Sequence, residues 1–146
     1  MNSLSVIVPS IIASIAVIIA SQQWFTSRDQ LKHQLFDRRI IVYQSITSFI
    51  ATTLVGEQSD VEKERVKFLK TTKDVYFLFG DDIKCFVEDI RSKTNDLGAY
   101  TRELQGSVSD EDRKTYIKKI RELTDWLEFT LNTIEPRFVK YLRLKH

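Results

Sequence analysis

Residues 4–21 read LSVIVPSIIASIAVIIAS, and no charged side chain occurs in the chain before Arg28. Ten of the residues from 4 to 20 are Leu, Ile or Val. A helix of about 20 apolar residues is long enough to cross the hydrocarbon of a bilayer, and it satisfies its own backbone hydrogen bonds there. The stretch therefore predicts a transmembrane helix, with residues 1–27 forming a membrane anchor.

The basic residues lie on one side of this apolar run. Arg28, Lys32, Arg38 and Arg39 follow it, whereas no Lys or Arg precedes it. Because Lys and Arg are retained on the cytoplasmic side, the pattern predicts an outside N-terminus and a cytoplasmic C-terminal domain. A cleaved signal peptide would carry its basic residues before the apolar run, so we expect a retained, single-pass anchor.

The ends and faces of the predicted span suggest contacts. Trp24 and Phe25 are placed as an interfacial aromatic belt, and Arg28 and Lys32 are placed to meet anionic headgroups. On a helical wheel one side carries only small residues, which either allow helices to associate or are common filler in any span. This predicted association face consists of Ser10, Ala13, Ser14, Ala16 and Ala20.

Residues 28–146 suffice for one small cytoplasmic domain. Neither Gly nor Pro interrupts residues 10–55, so the span either continues into a cytoplasmic helix or breaks at a Ser27–Gln30 capping box. Three further helices are predicted after Gly56. We expect an all-α fold, in which the N-terminal transmembrane helix is followed by a small antiparallel helical bundle.

Capping signals set the limits of those three helices. The first is predicted to start at a Ser59–Glu62 capping box and to end at Gly80 in a left-handed conformation. The next starts at Asp81, and the last runs from a Ser109–Asp112 start signal to a stop at Pro136. The tail after Pro136 has four basic and no acidic side chains. It either lies on anionic lipid or covers the end of the bundle with its apolar residues.

Arg39 falls inside an apolar helical stripe. A buried arginine requires compensation, so we hypothesise an ion pair of Arg39 with Asp81 or Asp82. The alternative is that the stem of Arg39 packs on apolar neighbours while its guanidinium reaches water.

The sequence offers few candidate catalytic, metal-ligating or ligand-binding residues. A net charge of +2 argues against nucleic-acid binding. His33 and His146 cannot be combined with Cys85 into a zinc-ligand spacing, and Cys85 is predicted to be a semi-buried, inert thiol. No phosphate loop or nucleophile elbow is present. We therefore predict no enzymatic activity, no catalytic residue, no metal, no cofactor and no evident small-molecule substrate.

Three segments of the chain resemble a sequence pattern that other proteins share. They are QLKHQLFDRR at residues 30–39 followed by Tyr43, FLFGDDI at residues 77–83, and FVKYL at residues 138–142. Over nearly its whole length the chain resembles an uncharacterised family of small single-span bacterial membrane proteins, from whose pattern it departs at residues 32–34. The resemblance implies a bacterial or phage-borne protein of the inner (plasma) membrane, and it supplies no activity.

The function expected from the sequence is that of a membrane-anchored interaction module without catalysis. Its expected partners are membrane lipid and either another protein or further copies of the chain. The alternative is a membrane-perturbing effector, of the toxin or phage-defence type, that acts by clustering of its transmembrane helix.

Overall fold

The computed structural model describes residues 4–143, with side chains described for Ala13 and from Ile15 onward. All of the elements in the described chain are helical and none is a strand, which confirms the predicted all-α class. The elements are α1 (Leu4–Val55), α2 (Gln58–Thr71), a 3₁₀ turn (Thr72–Asp74), α3 (Val75–Leu78), α4 (Asp81–Gln105), α5 (Asp110–Thr133) and α6 (Glu135–Leu142). The chain divides into two compact units, Met1–Asp37 and Arg38–His146.

In the first unit, every described residue from Ala13 to Leu35 is exposed. The exposed fractions of the large apolar residues include 68% for Val17 and 56% for Ile18. No helix among the described residues combines the length and the apolarity needed to cross a bilayer. Of the two alternatives for the segment after the apolar run, the uninterrupted helix is the one found, because α1 continues through Ser27 without a break.

The core of the second unit is built by helical faces with apolar residues three or four positions apart. The C-terminal part of α1 contributes one such face, and the rings of Phe49 and Phe68 stack with centroids 4.6 Å apart. Phe138 of α6 is fully buried, and its ring meets those of Tyr43, Phe79 and Phe86 edge to face. The buried apolar residues are Val42, Ile46, Phe49, Ile50, Phe68, Val75, Leu78, Phe79, Ile83, Phe86, Val87, Ile90, Leu127, Ile134 and Phe138.

Helices α4 and α5 form an antiparallel hairpin. Tyr100 of α4 stacks on Tyr116 of α5, whereas Lys93, earlier in α4, lies over Trp126, later in α5. The predicted start of α5 is confirmed, because Ser109 is its N-cap and the Ser109 hydroxyl accepts a hydrogen bond from the Asp112 N–H.

The predicted helix from Ser59 to Gly80 is divided in two. Its N-cap is Glu57, which makes no side-chain cap bond, so Ser59 does not start the helix. The division falls at Thr72, whose N–H and hydroxyl both donate to the Phe68 carbonyl.

Two helix-end predictions were wrong. Gly80 is extended, with φ −78° and ψ 177°, and no described residue has the left-handed backbone expected there. Pro136 does not stop a helix, since α5 already ends at Thr133 and Pro136 lies in the first turn of α6. Proline fits that position because the first N–H groups of a helix have no intrahelical acceptor.

Candidate functional site

One end of the second unit carries a cluster of polar contacts between distant parts of the chain. We call it the corner cluster: Arg39 of α1, Gly80 and Asp82 at the start of α4, and Lys140 and Tyr141 of α6. The aromatic core positions it, because the Phe79 ring packs against the rings of Phe138 and Tyr141.

Arg39 makes its hydrogen bonds to backbone carbonyls rather than to a side chain. Its Nε donates to the Leu78 carbonyl and its Nη1 to the Tyr141 carbonyl, both at 3.1 Å. Its guanidinium also lies 5.7 Å from the centre of the Tyr141 ring. Leu78 and Tyr141 belong to the last turns of α3 and α6, where helix carbonyls lack intrahelical donors. Arg39 therefore caps two helix C-termini with one cation.

The predicted ion pair of Arg39 with Asp81 or Asp82 is not the arrangement found. Asp81 pairs with Lys84 at 2.9 Å, and Asp82 pairs with Lys140 at 2.9 Å. The physical reason is that the partly buried helix-end carbonyls need a donor and have few others within reach. The carboxylates of Asp81 and Asp82 are exposed, so flexible lysines can reach them instead. The structure thus brings Arg39 to the same corner as these acids but gives them different partners.

Tyr141 connects the remaining members of the cluster. Its hydroxyl accepts the Gly80 N–H at 2.9 Å and donates to Asp82 Oδ1 at 2.7 Å. A Cβ on Gly80 would lie 2.5 Å from this hydroxyl oxygen, so close approach, and not a left-handed backbone, requires glycine here.

The hydrogen bonds of the cluster shift two pKa values. The bond from Tyr141, followed by the bond from Lys140, lowers the pKa of the Asp82 carboxyl. The bond to Asp82 raises the pKa of Lys140. Both shifts favour the charged forms, so the contacts hold the ion pair ionised.

The chemistry of the corner cluster is that of a structural junction. It joins α1, the α3–α4 turn and α6, and its residues include no thiol or imidazole. Among the residues that the structure describes, no group of three His, Cys, Asp or Glu side chains is arranged to hold a metal ion. Cys85 is exposed, which corrects the prediction of a semi-buried thiol.

The predicted interface residues lie together on the first unit. Trp24 and Phe25 are exposed, with ring centroids 5.2 Å apart, and the Arg28 guanidinium lies 5.1 Å from the centre of the Trp24 ring. Lys32 pairs with Asp29 at 3.4 Å.

Part of the predicted association face can be located. Ala13, Ala16 and Ala20 are exposed. Ser10 and Ser14 belong to that face too, and their side chains lie outside the described residues.

Sequence reasoning missed the role of Tyr141. The only signal was its place in the FVKYL segment, whose apolar residues were one of two alternatives expected to cover the bundle end. Within the described tail, Phe138 is buried in the core, and half-buried Tyr141 and Leu142 pack against it.

No family model, curated protein or solved structure matches the chain. The resemblance to small single-span bacterial proteins consequently stays a prediction.

Proposed function

We propose that the protein is a single-pass, membrane-anchored helical interaction module of the bacterial inner membrane, with its bundle in the cytoplasm. The observation that carries the proposal is the uncharged apolar run of residues 4–21, followed by Arg28 and Lys32. The exposed Ile15, Val17 and Ile18 support it, because apolar side chains of this size are stabilised by transfer from water to lipid.

The exposed aromatic rings of the second unit support a binding role. Phe77 is 90% exposed and Phe129 is 65% exposed. Large aromatic side chains contribute strongly to protein interfaces, and leaving them in water is unfavourable. We assign both rings to contacts with another protein or with a second copy of the chain.

The anchor is tested by deleting residues 1–23 and measuring how the protein distributes between membrane and soluble fractions. We expect the full chain in the membrane fraction and the shortened chain in the soluble fraction. A matched control replaces residues 4–21 by leucines, which should keep the protein in the membrane. An unchanged distribution of the shortened chain would overturn the proposal.

The orientation is tested with reporters fused after His146. A fluorescent protein that matures only in the cytoplasm should be bright, and an enzyme active only outside the inner membrane should be inactive. The opposite pair of results would contradict a cytoplasmic bundle.

The polyleucine variant also separates a tether from a membrane-perturbing effector. A tether predicts that overexpression of either span leaves growth and membrane potential unchanged. If the membrane potential were instead lost with the natural span but kept with polyleucine, the function would depend on the identity of residues Ala13, Ala16 and Ala20.

Partner contacts are tested by placing a photo-crosslinking amino acid at position 77 or 129 in the native host. Position 70, an exposed lysine of α2, is the matched control. We expect a discrete crosslinked band from 77 or 129 and none from 70. Equal crosslinking at all three positions, or none at 77 and 129, would contradict the assignment.

A further inference from the structure

A groove of about 570 Å³ lies in the second unit between α2 and α4. Three cationic residues line it, Arg65, Lys73 and Arg91, and none of its lining residues is acidic. The groove is large enough for a small organic ligand.

The cations of the groove are only partly neutralised by neighbouring acids. Arg91 Nη1 lies 3.1 Å from Glu88, and Arg65 Nη1 lies 3.5 Å from Glu62. No ion pair of Lys73 occurs among the described residues. The groove therefore keeps positive charge that a ligand anion would neutralise.

Hydrogen-bond donors remain available in the same place. The side chain of Lys73 is exposed and makes no hydrogen bond among the described residues, so its ammonium can donate to an anion oxygen. Arg65 Nη2 makes only a 3.3 Å contact with the Asn95 side chain, which an oxyanion could replace.

Beside the charges, the groove has an apolar wall. Half-buried Leu69 and exposed Tyr76 line it, whereas the stacked rings of Phe49 and Phe68, which also border it, are buried. A fully hydrated inorganic ion would gain nothing from this wall. A ligand with both an anionic group and an apolar body matches both parts.

We propose that this groove binds a phosphate-bearing organic anion of nucleotide size, a ligand that the membrane-anchored interaction role does not include. Guanidinium groups match phosphate oxygens bidentately, and three cations suit the several charges of a phosphate chain. The phosphates contact Arg65, Lys73 and Arg91, while the organic body lies on the apolar wall.

The test is calorimetric titration of the full chain in mild detergent. The probe is ATP, with tripolyphosphate and adenosine as its two halves and sn-glycerol 3-phosphate as a stand-in for a lipid headgroup. We expect ATP to bind more tightly than tripolyphosphate, and adenosine to bind most weakly. Tighter binding of glycerol 3-phosphate than of ATP would overturn the nucleotide-sized ligand in favour of a headgroup.

Variants connect binding to the groove. Lys73→Gln should weaken ATP binding about tenfold, since it removes one charge-assisted contact. Lys63→Gln, on the preceding helix α2, paired with Asp60 and outside the groove, should leave ATP binding unchanged. Lys73 is exposed, so its substitution is not expected to affect folding. Absence of ATP binding, or equal effects of the two substitutions, would overturn the proposal, and neither result depends on where the anchor resides.

Discussion

At the scale of single residues, position 80 of the corner cluster has the strictest requirement for one residue type, glycine. We expect Gly80→Ala to lower the free energy of unfolding by about 1–3 kcal/mol, because its Cβ would overlap the Tyr141 hydroxyl. The measurement is denaturant unfolding of the full chain in detergent.

Two further variants separate this overlap from general effects of replacing glycine. Gly98→Ala, where an added Cβ would meet no atom within 4 Å, should stabilise helix α4 by about 0.5–1 kcal/mol. In a Tyr141→Phe background, Gly80→Ala should cost less than in the natural chain, since the overlapping oxygen is gone. Additive effects of the two substitutions would contradict the close-approach explanation.

Asp82 gives the corner cluster a pH dependence. Because its pKa is lower in the folded than in the unfolded chain, its contribution to stability is present above the unfolded pKa and disappears as the pH falls through the folded one. We expect the free energy of unfolding to decrease as the pH is lowered from about 6 to about 2. This range brackets the ordinary carboxyl pKa of about 3.9.

Substitutions assign this loss to Asp82. Asp82→Asn should reduce the fall in stability over that pH range. Tyr141→Phe should also reduce it, because it removes the hydrogen bond with the largest effect on the Asp82 pKa. An acid-induced loss of the same size in Asp82→Asn and in the natural chain would show that other carboxyl groups are responsible.

At the scale of elements, two similar sequence signals have different structural outcomes. Ser109 caps α5, whereas Ser59 lies inside α2. We expect Ser109→Ala to destabilise the protein by about 1 kcal/mol, the usual effect of removing an N-cap side chain. Ser59→Ala should change the free energy of unfolding by less than about 0.5 kcal/mol, as surface substitutions usually do. Chemical denaturation of both variants tests this, and equal effects would contradict the capping assignment.

The helices themselves were predictable because their signals are local. Residues three and four apart define the buried faces of α1 and α4, and Ser109 was recognised from residues within one turn. What failed depended on distant parts of the chain. The sequence could not show that the Leu78 and Tyr141 carbonyls would end beside Arg39, so only a carboxylate or water was considered as its partner. Similarly, glycine at position 80 reflects a hydroxyl 61 residues away.

The groove was missed for a related reason. Arg65, Lys73 and Arg91 look like ordinary solvated charges on three separate stretches of sequence. These three side chains surround one groove only because α2 and the 3₁₀ turn that follows it lie beside α4. A groove formed between helices in this way leaves no local motif in the sequence.

At the scale of the whole molecule, the second unit contains all of the buried apolar residues that the structure describes, from Val42 to Phe138. A unit with its own core is expected to fold without the residues that precede it. We therefore predict that the variant lacking residues 1–23 keeps a helical circular dichroism spectrum and unfolds in one cooperative transition. This result would show that its release from the membrane fraction reflects loss of the anchor and not misfolding. A variant that lost its cooperative transition would contradict the independence of the second unit.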